Sequence, residues 1–306
     1  MAGVLIGFAI IAFVILVGYI VGRFGIGGPS AGFVLNRIAF FVANPALLFT
    51  VLAKANVHVV FSSFVLVAAI SALATMVIYV AVSRIAFRRP ATETTIGALS
   101  AGYVNINNIG LPVAVYVLGS ATYIAPVLLL QLVVFAPIAL SILDVTSRGH
   151  ASMRAILTQP FRNPMIVASL LGVIVAVTGL KVPDAVFEPF VLLGGAAVPL
   201  LLMAFGMSLH GSRPFRAGSG LREIVVASLL KAAIMPAIAF LVARFAFGLH
   251  GTALFAAVVL AALPTAQNVY NFASRYGRGE VVARDTVLLT TLLAVPALVV
   301  VAALLA

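Results

Sequence analysis

The chain has 306 residues, 64% of them hydrophobic and only 8% charged, with a mean hydropathy of +1.26. Soluble domains carry roughly 45–50% apolar and about 25% charged residues, so a soluble globular protein is excluded. A net charge of +11 would suit a nucleic-acid binder, but its placement along the chain argues for membrane topology, and the absence of Cys excludes disulfides and thiolate chemistry.

A bilayer core takes about 20 apolar residues per helix. In chain order the apolar stretches predict ten spans, at roughly 3–22, 33–53, 61–83, 94–118, 123–146, 163–179, 187–208, 223–247, 252–272 and 284–305. The first lacks a basic leader and reads as an uncleaved helix. Connections after odd-numbered spans hold most of the Lys and Arg, among them Arg23, Arg37, Arg88, Arg89, Arg154, Arg162, Arg213, Arg216 and Arg278. By the positive-inside rule these connections are cytoplasmic and both termini lie outside. The basic excess is therefore a topology signal, and no nucleic-acid partner is expected. Short loops suit a bacterial inner membrane.

The two halves echo each other. Asn44-Pro45-Ala46-Leu47-Leu48 in the second span returns as Val198-Pro199-Leu200-Leu201-Leu202 in the seventh, about half a chain later. Leu111-Pro112 in the fourth span returns as Leu263-Pro264 in the ninth. An offset of five spans reverses the orientation of the second copy, the trace of an inverted repeat. The fold expected is an all-α membrane protein of ten helices in two inverted five-helix repeats, 1–146 and 163–306, joined by a basic cytoplasmic linker at 147–162.

The fourth span contains Asn105-Ile106-Asn107-Asn108-Ile109-Gly110-Leu111-Pro112. Pro112 lacks an N–H and crowds the carbonyl four residues back, and Gly110 weakens a helix, so unwinding is expected here. Such backbone survives at membrane depth only inside protein or beside a watery cavity. The ninth span repeats the device with Pro264-Thr265-Ala266-Gln267-Asn268. If the two breaks cross, each downstream half-helix aims its N-terminus at the centre, an arrangement that favours anions. Taken alone, the ninth span reads equally as a Pro kink with amides that only bond between helices, whereas the three Asn of the fourth favour a site. Paired at symmetric positions, the two breaks point to a site.

Other polar residues carry two readings each. Lys231, in the eighth span, is either a fixed positive charge near the crossing or a side chain snorkelling to the surface. Gln131 is a candidate for lining the cavity. Asn44 either kinks its helix or faces substrate. Tyr116, Tyr270 and Asn271 read as packing or interfacial, as do His58, His150, His210 and His250. Apart from Asp144 near a span end, no carboxylate is expected deep in a span, which leaves no carboxylate pair for dedicated proton or sodium exchange. No metal-protease or phosphate-loop motif is present, so neither an enzyme nor a cofactor is expected.

At these residues the chain resembles the auxin efflux carrier family, which includes plant carriers and bacterial malonate-type transporters. The resemblance runs through Gly18-Tyr19 to Arg23, Asn36, Asn44 to Phe49, Asn105 to Pro112, Asn163-Pro164, Ala262 to Pro264 and Phe272 to Gly277. It implies a fold related to bile acid:sodium symporters, with helices 4 and 9 broken and crossed in a mobile transport domain (helices 3–5 and 8–10). Helices 1, 2, 6 and 7 would form a scaffold that often dimerises. It also implies an organic anion carried by an elevator-type displacement, with Asn105 in the crossing and Pro112 and Pro264 as its prolines. The run of Asn107 and Asn108, and Gln267-Asn268, depart from the family pattern.

The expectation is a secondary carrier of small mono- or dicarboxylates. Asn105, Asn107, Asn108, Gly110, Pro112, Pro264, Thr265, Gln267 and Asn268 form its site, with Asn44, Gln131 and Lys231 accessory. H+ or Na+ coupling stays open, and the alternatives are a sodium-coupled symporter or a membrane ligand receptor that moves nothing.

Overall fold

The structure, a computed structural model, describes residues 2–54, 63–148, 164–210 and 220–305. The helices in order are α1 (Ala2–Arg23), α2 (Ala31–Ala53), α3 (Ser63–Phe87), α4 (Ala91–Gly102) and α5 (Leu111–Tyr116). They continue with α6 (Ala121–Thr146), α7 (Pro164–Thr178) and α8, which runs through Asp184–Gly195 and, after a step at Ala196, Ala197–Leu209. The last four are α9 (Leu221–Ala246), α10 (Gly251–Ala262), α11 (Gln267–Tyr276) and α12 (Glu280–Leu305).

Among the described residues six of these, α2, α3, α6, α8, α9 and α12, are long and apolar enough to cross a membrane. α7, α10 and Ala9–Arg23 of α1 are shorter apolar helices. Together they make an all-helical, multi-pass membrane protein. The predicted spans 94–118 and 252–272 are each divided, into α4 with α5 and α10 with α11. The basic linker lies outside the described residues from 149 onward.

Lipid tails are as apolar as Leu, so helices in a bilayer associate by close packing rather than by burying oil from water. Small residues permit that approach. α1 runs along α8, where a Cβ on Gly18 would strike the Met203 backbone and one on Gly206 would strike the Ile15 carbonyl. α2 packs on α7 and α8 in the same manner, with Gly172 against the Phe49 carbonyl and Gly194 against the Leu47 backbone. α1, α2, α7 and α8 thus form one glycine-seamed group.

The remaining helices form a second group. α3 packs on α4 and α9, α10 on α9 and α12, and α4 on α6. Tyr79 of α3 is buried in the space that Gly97 of α4 leaves. The two groups meet where α1 touches α5 and where α8 touches the turn that precedes α5.

A side chain at Gly206 must push α1 and α8 apart. Gly206→Leu is expected to lower the thermal unfolding midpoint in detergent by about 5 °C or more. Gly195→Ala, where a new Cβ meets nothing within 4 Å, should leave that midpoint unchanged.

Candidate functional site

The break between α10 and α11 follows from Pro264. A residue before proline is driven out of the helical region, and Leu263 adopts φ −58°, ψ 149°. The break between α4 and α5 has a different cause. Tyr103 is extended at φ −91°, ψ 107°, and Asn105 at φ −76°, ψ 65° caps a π-helical turn, Ile106–Gly110, by accepting a bond from the Asn108 N–H at 3.1 Å.

This corrects the sequence reading of Pro112. The chain unwinds at 103–105, well before Pro112, which is the second residue of α5 and fully inside that helix. Proline is tolerated there because the first-turn N–H groups have no intrahelical partner. The preceding turn has already slipped to the wider register, with the Gly110 N–H reaching the Asn105 carbonyl at 2.9 Å. Pro112 and Pro264 are therefore not counterparts across the crossing. Gly110 serves packing: a Cβ there would meet Leu263 Cδ1 at 2.8 Å.

The two unwound segments run antiparallel and bond to each other. Val104 and Thr265 form an isolated bridge, in which the Asn105 N–H donates to the Pro264 carbonyl at 2.8 Å and the Ala266 N–H to the Tyr103 carbonyl at 2.9 Å. Side chains satisfy the remaining groups. Gln131 Nε2 donates to the Val104 carbonyl at 3.0 Å. The Thr265 N–H donates to Thr290 Oγ1 at 3.0 Å, and the Thr265 hydroxyl donates to the Ser100 carbonyl at 2.6 Å. Buried backbone groups left unpaired would cost several kcal/mol each in an apolar medium, on the order of 2–7.

Lys231 does not snorkel. It is fully buried, and its Nζ donates to the Ala261 carbonyl at 2.7 Å, with Met235 Sδ at 3.3 Å. Ala261 is in the last turn of α10, so the amine caps that half-helix beside the break. α4 ends on a hydroxyl cap and α10 on an amine.

Around the crossing the structure gathers Asn105, Asn107, Asn108, Gln267 and Asn268, with Gln131, about a cavity of roughly 20 Å³. That space holds about one water. Asn44 joins from α2, its Nδ2 donating to Asn107 Oδ1 at 2.7 Å, and Asn107 Nδ2 donates onward to Asn108 Oδ1 at 2.8 Å. Thr265 turns its side chain away toward Ser100, and Gly110 and Pro112 do not line the cavity. Gln131, expected to face the cavity, does so while also holding backbone.

Asn108 and Gln267 also border a second space of about 540 Å³, walled by the loop from Gly22 to Gly32 and by Asn36, Phe205, Met207 and His210. This vestibule was not legible in the sequence, because its wall comes from α1, α2 and α8 at once. Thr290, a hydroxyl deep in α12, was a readable signal for a crossing partner.

Asp285 corrects the expectation that the spans hold no carboxylate besides Asp144. Asp285 is fully buried in the second turn of α12, which begins earlier than predicted, and pairs with Arg284 at 2.7 Å. Asp144, the exception expected near a span end, is half-buried and accepts from the Tyr276 hydroxyl of α11 at 2.7 Å. Asn271 and His250 are exposed, whereas His58 and His150 lie outside the described residues.

Residues 4–302 match a family described as membrane transport protein. The chain is 26% identical over 290 residues to "Putative malonate transporter" of Rhizobium meliloti (strain 1021), covering 92% of this chain and 89% of that one. It is 25% identical over 279 residues to "Uncharacterized transporter YfdV" of Escherichia coli (strain K12), covering 86% and 85%. An "Uncharacterized transporter" of Methanothermobacter thermautotrophicus is 29% identical over 238 residues, 74% and 76% of the two chains. The chain belongs to the membrane transport protein family, the auxin efflux carrier family, and is a transporter rather than an enzyme.

Removing the Gln131 amide orphans the buried Val104 carbonyl. Gln131→Leu is expected to destabilise the folded protein by about 1–3 kcal/mol, read as a lower thermal midpoint in detergent. An unchanged midpoint would mean that water or another donor takes over that carbonyl.

Proposed function

We propose that this chain is a secondary carrier of small mono- or dicarboxylates, moved at the crossing of its two broken helices. The observation that carries the reading is the composition of the crossing. Six amide side chains converge there, a buried amine caps the adjoining half-helix, and among the described residues no carboxylate borders either cavity. Amide N–H groups and a nearby cation favour an anion and disfavour a cation.

The two volumes suggest how a small dicarboxylate sits. The inner cavity of about 20 Å³ is too small for a carboxylate, so the head group docks at Asn108 and Gln267. The body of the molecule then lies in the 540 Å³ vestibule, within the size range of small-molecule sites, roughly 300–1,000 Å³. The malonate named for one relative is a fitting first probe.

In this reading the chain has ten spans in two inverted repeats. The group of α1, α2, α7 and α8 is the scaffold, through which two copies pair, and the rest is the moving part of an elevator. The vestibule opens at the connection flanked by Arg23 and Arg37, which the positive-inside rule places in the cytoplasm, with both termini outside. The structure then corresponds to a cytoplasm-open state.

Lys231 bears on coupling. Protonated, it places a fixed positive charge at the C-terminal end of α10, where a coupling cation would otherwise find carbonyl ligands. Transport is therefore expected to proceed without sodium.

Purified protein in liposomes should show saturable uptake of radiolabelled malonate or a related carboxylate, unchanged when sodium is replaced by potassium. Asn108→Ala and Gln267→Ala should each cut kcat/KM about tenfold or more, as losing a bond to a charged group does. Strict sodium dependence would establish the symporter alternative. Specific binding without flux of any carboxylate would establish a receptor.

A further inference from the structure

Three of the amides are joined in one direction. Asn44 Nδ2 donates to Asn107 Oδ1 at 2.7 Å, and Asn107 Nδ2 donates to Asn108 Oδ1 at 2.8 Å. The Asn107 and Asn108 carbonyls each accept from the amide behind them, so the last link, Asn108, keeps its amide N–H groups unspent at the edge of the vestibule that it borders. The Asn108 backbone N–H is already engaged by Asn105 Oδ1, which fixes where that side chain begins.

The first link belongs to a different part of the molecule. Asn44 is fully buried in α2, within the glycine-seamed group, whereas Asn107 and Asn108 sit in the turn that leads into α5. The Asn44–Asn107 bond therefore spans the boundary between the two groups. Asn44 Oδ1 has no partner of its own, so the side chain is held only by what it donates. A buried amide with one satisfied end is an uneconomical way to stabilise a helix pair, and a kink in α2 does not need it.

We propose that Asn44, Asn107 and Asn108 form a directional amide relay. Through it α2 presents the crossing to hydrogen-bond acceptors and latches it in the position that leaves the vestibule open. The proposal rests on the carrier reading for its ligand, and adds to it the source of acceptor selectivity and a positioning residue, Asn44, that touches no substrate. Hydrogen bonds in series polarise one another. An acceptor on Asn108 therefore strengthens the bond to α2, and any slide of the crossing past α2 must break it.

The direction is testable at a pH high enough to ionise a buried carboxyl, because an ionised Asp cannot donate. Asp at position 44 obliges Asn107 to donate to it and to turn its own carbonyl toward Asn108. Asn108 must then donate backward and show a carbonyl to the vestibule. Asn44→Asp should raise the KM for malonate about tenfold. In an Asn107→Ala background, where the relay is cut, the same substitution should change KM by less than about twofold. Equal effects in both backgrounds would overturn the relay, because Asn44 would then act by another route.

A second measurement needs no substrate. The natural chain has no Cys, so Asn36→Cys gives one thiol on the vestibule wall. Its rate of modification by a membrane-impermeant methanethiosulfonate reports how often the vestibule is open. Adding Asn44→Leu, or Asn107→Leu should the first variant fail to fold, removes the latch and should slow modification about threefold to tenfold. An unchanged rate would overturn the latch. If the wild-type protein moves no carboxylate, the carrier reading fails by itself and the labelling rates still decide the relay.

Discussion

Everything at the centre of this protein follows from one constraint: backbone that is not helical cannot face an apolar interior without partners. Residues 103–105 and 263–266 are unwound in the middle of the helical mass, and each solves the other's problem. The Val104–Thr265 bridge supplies two backbone bonds, and Gln131, Thr265 and Thr290 supply the rest. The crossing is therefore not two weak points in two helices. It is a single hydrogen-bonded unit, and no bond in this set is made to α1, α2, α7 or α8.

That separation makes the few contacts across the boundary informative. The glycine seams inside the first group bring backbones so close that no side chain fits between them, which suits surfaces that do not slide. Where the groups meet, the described polar link is a single amide pair, Asn44 with Asn107. The rest of that boundary is apolar, one hydrophobic core continuing through both groups, so the amide pair is the directional bond in a contact that otherwise has no direction. A vestibule of about 540 Å³ lies beside it.

Much of this was legible in the residues. Hydropathy located the helices, and the Asn-rich and Pro-containing runs located both breaks, because amides and Pro interrupt a helix that the surrounding apolar residues would otherwise continue. The register between the breaks was not legible. Leu111-Pro112 and Leu263-Pro264 look alike, yet Pro264 causes its break while Pro112 begins the helix after one. The true counterpart of the proline-driven break is a stretch without proline, Tyr103 to Asn105, held open by side-chain bonds from other helices. No local pattern encodes that. For the same reason Lys231 could be placed in a span but not assigned to the carbonyl it caps, and Asp285 lay at a predicted boundary that the helix overran by about one turn.

The two half-helix ends differ in a way that bears on charge. α4 ends on the Thr265 hydroxyl, a neutral donor, and α10 ends on the Lys231 amine. Either cap answers the hydrogen-bonding demand of the final carbonyls, so geometry alone does not call for a lysine. Among the described residues no carboxylate pairs with Lys231, so its protonated form is an uncompensated buried cation, which is costly. A hydroxyl at 231 would have been the cheaper solution if stability were the only demand. The cost is offset if an anion visits the crossing, because a negative charge on the far side of the break then shares the field of the amine. On the carrier reading proposed above, the unpaired lysine and the amide-lined, carboxylate-free site would be parts of one arrangement, in which the counter-ion is the cargo.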